Sequence, residues 1–147
     1  MDMISPEEIR DEVYRRLKTY EDLSLMEHFA MFMGKAQILE FGLKNLLVEL
    51  YGYQWEKIKA RTLGHTCREL KACGLRGDFI ALLEAFVGYR NYIAHEFLLN
   101  SSLLRSILRD DIGRLEIKHL ERGTILLEQL IFLYDRTSER DWWTEVA

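Results

Sequence analysis

DFIALLEAFVGYRNYIAHEFLL, residues 78 to 99, reads as one amphipathic helix, and the fold follows from what that helix must pack against. Phe79, Leu82, Leu83, Phe86, Ile93 and Phe97 recur at spacings of three, four and seven, the core-facing stripe of a helix. Arg90 falls on the same stripe, four after Phe86 and three before Ile93. A guanidinium placed there needs a partner, a cleft or an interface, because an unpaired buried charge is costly. Asn91 and His95, four apart, share the neighbouring face with Gly88, whose missing side chain leaves room beside them. At about 100° per residue, Arg90 and His95 lie about 140° apart on a straight helix. A long arginine side chain, a bend near His95 or a second copy of the chain is needed to bring them together.

Working outward, Ser24-Leu25-Met26-Glu27 has the capping-box pattern and opens the longest helix, to about Leu50. Apolar residues surround it on most sides, from Met26, Phe29 and Phe32 to Leu46, Leu47 and Leu50, which makes it the central helix. Glu40 and Lys44 lie on it four apart in the favoured acidic-before-basic order. Either they form a solvated strip, worth only ~0.3–0.5 kcal/mol, or Glu40 reaches across and holds Arg90.

Ser5-Pro6-Glu7-Glu8 starts an earlier helix running to about Tyr20, with Ile9, Val13, Leu17 and Tyr20 inward. Tyr51 to Trp55 breaks the periodicity, and these aromatics seal a turn. Thr66-Cys67-Arg68-Glu69 caps a short helix ending near Cys73, with Gly74 as its stop, and Asp78 caps the helix after it. Leu103 to Leu108 forms a short apolar turn. Asp110-Asp111 caps a last helix to about Arg136, on the stripe Leu115, Leu120, Leu127, Leu130, Ile131 and Tyr134, weakened locally by Gly113 and Gly123. Trp142 and Trp143 pack back or against a partner. Without sustained period-two alternation, the fold class is all-α: an up-and-down bundle of four to five principal helices. The 147 residues make one domain, with a core over about 24–136, an additional helix within 1–22 and a tail from 137 to 147.

Composition excludes several classes. No apolar run approaches the ~20 residues of a membrane span, and the acidic start, Met1 to Glu8, lacks the layout of a secretory signal, so the expected location is cytoplasmic. Cys67 and Cys73 match neither a disulfide framework nor a zinc site, and no metal or cofactor is expected. The net charge of −4 argues against nonspecific coating of nucleic acid. Between Lys57 and Arg76, however, six basic residues face one acidic, Glu69. That stretch is either a solvated face or a local surface for a phosphate backbone. His28, His65 and His119 join no evident constellation and are assigned no role.

Arg90-Asn91-Tyr92-Ile93-Ala94-His95 resembles the signature of the HEPN superfamily: an Arg, a small polar residue, then a His after four to six positions, on a late helix of a small helical protein. Glu40-Phe41-Gly42-Leu43-Lys44 matches the acidic and basic pair such proteins carry on an earlier helix. The resemblance covers about Ser24 to Tyr134 as a pattern of helices and polar positions. It implies a HEPN-like bundle, a homodimer with the motif at its interface, and metal-independent cutting of RNA. In that chemistry the substrate's 2′-hydroxyl is the nucleophile. His95 serves as acid or base near neutrality, and Arg90 holds phosphate oxygens and stabilises building charge. Asn91 orients a phosphate or the His95 ring, while Glu40, Lys44 and Tyr92 support the site, Tyr92 by stacking on a base.

The same resemblance suggests a toxin, with a possible antitoxin protein as partner, or an effector of antiviral defence. In the branch paired with a nucleotidyltransferase antitoxin, a tyrosine two residues after the His receives nucleotide. Here that place is Phe97, without a hydroxyl. The residues leave two other readings open: a noncatalytic module binding RNA, nucleotide or a partner protein, and a dimeric scaffold in which Arg90 is structural.

Overall fold

The computed structural model describes residues 4–97 and 114–144, and every regular element among them is helical. In chain order these are α1 (Pro6–Leu17) with a 3-10 turn (Lys18–Tyr20), α2 (Leu25–Tyr51), α3 (Trp55–Ile58), α4 (Leu63–Ala72), α5 (Gly77–Tyr92) and α6 (Arg114–Arg140). α5 runs directly into a π turn, Ile93–Phe97. The protein is an all-α helical bundle, with five principal helices and one single-turn helix among the described residues.

Local signals set most of the ends. Ser24 and Glu27 exchange both bonds of the capping box: the Ser24 amide donates to Glu27 Oε1 at 2.9 Å, and the Glu27 amide to Ser24 Oγ at 3.1 Å. α2 stops at Gly52, which takes the left-handed conformation at φ 71° that side chains disfavour. At α1 only half of the box forms: Ser5 Oγ accepts the Glu8 amide, while the Glu8 carboxylate lies 3.6 Å from Arg136. Two expected caps are corrected. α4 starts at Thr62, whose hydroxyl accepts the His65 amide, whereas Thr66 is buried inside the helix with its hydroxyl donated to the Thr62 carbonyl at 3.0 Å. Asp78 is a first-turn residue of α5 rather than its cap: it accepts the Phe79 amide and pairs with Arg76, the residue at the cap position.

The core lies between α2, α5 and α6. Phe32, Leu43 and Leu47 of α2 meet Leu83, Phe86 and Ile93 of the motif segment and Leu120, Leu127 and Leu130 of α6, all essentially inaccessible to water. Burying each side chain of this size contributes about 1.5–3 kcal/mol. Gly123 does not merely weaken α6, as its composition suggested. A Cβ there would stand 2.8 Å from Ile93 Cδ1 and 3.1 Å from Phe32 Cε2, so glycine lets α6 close onto the other two helices. Gly42 does the same opposite Tyr134, whose hydroxyl donates to the Gly42 carbonyl at 3.2 Å.

Trp143 packs back: it is buried against Phe79, with ring centroids 4.8 Å apart, and Tyr134, at 5.3 Å. Among the described residues one carboxylate sits fully in the interior. Glu128 Oε2 accepts from the Tyr20 hydroxyl at 2.6 Å and from Lys35 Nζ at 2.9 Å, tying α1 and α2 to α6. Among the described residues no helix is long and apolar enough to cross a membrane. The expected turn at Leu103–Leu108, the cap at Asp110–Asp111 and Gly113 lie outside the described residues, as does the side chain of Leu115.

Candidate nucleic-acid site

The stripe of α5 turns Phe79, Leu83 and Phe86 fully inward, and the π turn buries Ile93 and Phe97 behind them. Phe97 stacks on Phe29 of α2 at 5.1 Å, its ring within 11° of parallel. Arg90, on the same stripe, is half-buried, as its position required. Among the described residues its guanidinium has no carboxylate within ion-pair distance. Asn91 and His95 are exposed. A π turn advances each residue through a smaller angle than an α turn. The winding after Tyr92 therefore differs from that of the straight helix on which Arg90 and His95 lie about 140° apart.

Glu40 does not hold Arg90. Its carboxylate lies 3.7 Å from Lys44 Nζ, within its own helix. Lys44 is buried, and its ammonium donates to the Lys59 carbonyl at 2.9 Å, fastening the segment after α3 to α2. The pair is therefore neither a solvated strip nor a brace for Arg90. It is a structural contact on the α3 side of α2.

Tyr92 stacks on His119 of α6, with centroids 4.2 Å apart and planes 26° from parallel. Tyr89 leans toward the same imidazole at 5.9 Å and 52°. With Ala85 and Gly88 these rings line a surface hollow of 230 Å³. Arg90, Asn91 and His95 are not part of its wall. His119 was given no role from the sequence, because it lies 27 residues from Tyr92 and across a chain reversal. Only the pairing of α5 with α6 makes them neighbours. The signal available beforehand was weak: a histidine one residue before the buried Leu120, on a helix required to cover the motif.

The other histidines stand apart. His28 is half-buried between the Tyr20 ring and the Thr124 hydroxyl, 2.8 Å from Nε2, and burial holds its pKa below the ordinary value. His65 Nε2 is 3.6 Å from Glu69, whose other oxygen accepts the Tyr53 hydroxyl at 2.7 Å. Cys67 and Cys73 are free thiols, the first buried. Among the described residues no three His, Cys, Asp or Glu side chains gather as metal ligands. Half of the basic stretch is paired: Lys59 with Glu56, Lys71 with Glu84 and Arg76 with Asp78. Compared with protein-family models, curated proteins and solved structures, the chain matches none.

Proposed function

We propose that this protein is a metal-independent endoribonuclease of the HEPN type, acting in the cytoplasm as a homodimer with toxin or antiviral activity. The observation that carries the reading is Arg90: a half-buried guanidinium without a described carboxylate partner, five residues before an exposed His95 on a widened stretch of helix. Keeping such a cation partly dehydrated is unfavourable unless an anion completes the site. A phosphodiester supplies that anion. RNA also supplies its own nucleophile, so the protein must only accept a proton, steady the crowded phosphate and protonate the leaving oxygen. His95 carries the proton and Arg90 the charge, with Asn91 orienting one of them; the cut leaves a 2′,3′-cyclic phosphate.

The dimer is supported by the outward side of α5. Ala81, Glu84, Ala85, Asn91 and His95 are all exposed along it, and a second copy seated on that face would double the arginines and imidazoles at one groove. A noncatalytic RNA-binding module is the second reading, favoured by the separation of the aromatic hollow from Arg90 and His95. Purified protein incubated with structured and unstructured RNA in chelator, beside Arg90→Ala and His95→Ala, separates the two. Cutting by the parent that both substitutions abolish supports the enzyme. Tight binding without cutting supports the module.

A further inference from the structure

We infer that the seam between α4 and α5 is the path of the RNA backbone, with Arg68 and Arg61 holding phosphates next to the one that Arg90 grips. The inference rests on the RNA reading above and adds two residues and a direction to it. Two contacts define the seam. Lys71 Nζ lies 3.2 Å from the Glu84 carboxylate, and a Cβ on Gly64 would stand 3.6 Å from Val87 Cγ1. The two helices are therefore antiparallel, and the first turn of α4 lies beside the half of α5 that carries Arg90.

Arg68 stands over this seam. Its Nη1 is also 3.6 Å from the Gly64 Cβ position, so the guanidinium and Val87 Cγ1 are no more than twice that distance apart. Gly64, Arg68 and Lys71 follow at spacings of four and three, one face of α4. Val87 precedes Arg90 by three residues, which at about 100° per residue puts the two only about 60° apart round α5. Asn91, exposed, follows Val87 by one turn. Arg68 is thus on the Arg90 side of α5, and Arg61, just before the Thr62 cap, is at the end of α4 nearest Asn91.

Charge gives the path its direction. From Trp55 to Tyr92 there are seven basic residues and four acidic, a surplus of three in a chain whose net charge is −4. All four acids are engaged: Glu56, Asp78 and Glu84 in ion pairs, and Glu69 by the Tyr53 hydroxyl at 2.7 Å. Arg61 and Arg68 are exposed and have no ion-pair partner among the described residues. The seam is therefore neutral at its Lys71–Glu84 end and positive at the end beside Arg90 and Asn91. A polyanion held by an acidic protein needs such a local surplus, and the guanidinium fork matches two phosphate oxygens at once. A strand gripped at Arg90 leads across Arg68 toward Arg61, away from Glu84.

The test uses a short mixed-sequence RNA with its 2′-hydroxyls methylated, so that it is bound and not cut. Affinity is read by fluorescence anisotropy over a range of salt concentrations for the parent, Arg68→Gln, Arg61→Gln, Arg68→Lys and Arg10→Gln, with melting temperature measured on each. Arg10 is exposed in the groove between α1 and α6, so its variant removes the same charge away from the seam. Arg68→Gln and Arg61→Gln should each melt as the parent does, bind more weakly at low salt, and flatten the slope of log affinity against log salt by about 0.7, the share of one single-strand phosphate contact. Arg68→Lys and Arg10→Gln should keep the parent's slope. An unchanged slope in Arg68→Gln or Arg61→Gln overturns the path. So does an equal flattening in Arg10→Gln, since total charge then accounts for it. A parent that binds polyglutamate of matched charge as tightly as the RNA also overturns it, because the seam then takes an acidic protein segment. If the parent cuts unmodified RNA in an Arg90- and His95-dependent way while those slopes stay unchanged, only the path has failed. If the parent cuts nothing yet both variants flatten the slope, the path stands and the nuclease reading has failed.

Discussion

Ile93 lies so close to the backbone of Gly123 that a Cβ on the glycine would stand 2.8 Å from its Cδ1. The contact sits at the first residue of the π turn that also carries His95. Gly123→Ala gains helix propensity but must push Ile93 and Phe32 apart in a filled core, and overpacking of this kind costs typically ~1–3 kcal/mol. The variant should be less stable than the parent in urea denaturation. It should also lose RNA cutting under conditions in which it remains folded, because Ile93 and His95 share that turn.

His28 sets the dependence of stability on mild acid. Burial lowers its pKa in the fold, so the unfolded chain binds a proton more readily than the native one. The stability this contributes is present above the ordinary value of 6.5 and is lost as pH falls below it toward the lowered value. Melting temperatures measured from pH 7.5 to 5 should therefore fall. His28→Gln, which can still bond Thr124, should flatten that slope. An unchanged slope in the variant would place the proton uptake elsewhere.

The Glu128 carboxylate is a buried charge held by two donors. Glu128→Ala leaves the Tyr20 hydroxyl and the Lys35 ammonium without their acceptor, an effect on the order of 2–4 kcal/mol. Tyr20→Phe removes one donor and should cost less. Combining the two should cost less than their sum, since each disrupts the same network. Denaturant midpoints of the three variants check this.

Lys44 and Glu40 were expected to matter beside Arg90, and the geometry relocates them. Lys44→Met keeps the buried stem and removes the ammonium, leaving the Lys59 carbonyl and Glu40 without a partner. A loss of about 1–3 kcal/mol is expected, readable as earlier hydrogen exchange in the segment after α3. Equal protection in variant and parent would contradict it.

Much of the bundle was legible because helices announce themselves locally. Ser24 with Glu27 fixed the start of the central helix, the break in periodicity from Tyr51 its end and Gly74 that of α4, and the three- and four-residue spacing named Phe79, Leu83, Phe86, Ile93 and Phe97 as inward. Thr66 resembles a cap in sequence because a helical pattern follows it, and only its burial within α4, which starts at Thr62, shows otherwise. Arg90, Asn91 and His95 were legible as a spacing, and the half-burial of Arg90 followed from its stripe. The π turn was not, since it leaves no composition signal. The Tyr92–His119 stack and the close approach at Gly123 depend on how α5 and α6 meet, and no local pattern encodes a contact between distant segments.

The most direct measurement is the fate of a 5′-labelled RNA incubated with the protein in excess chelator. Discrete products ending in 2′,3′-cyclic phosphate should form with the parent. His95→Ala and Arg90→Ala should each slow their formation by at least ~10²-fold while melting as the parent does. Intact RNA with the parent, or cutting that persists undiminished in both variants, would contradict the account.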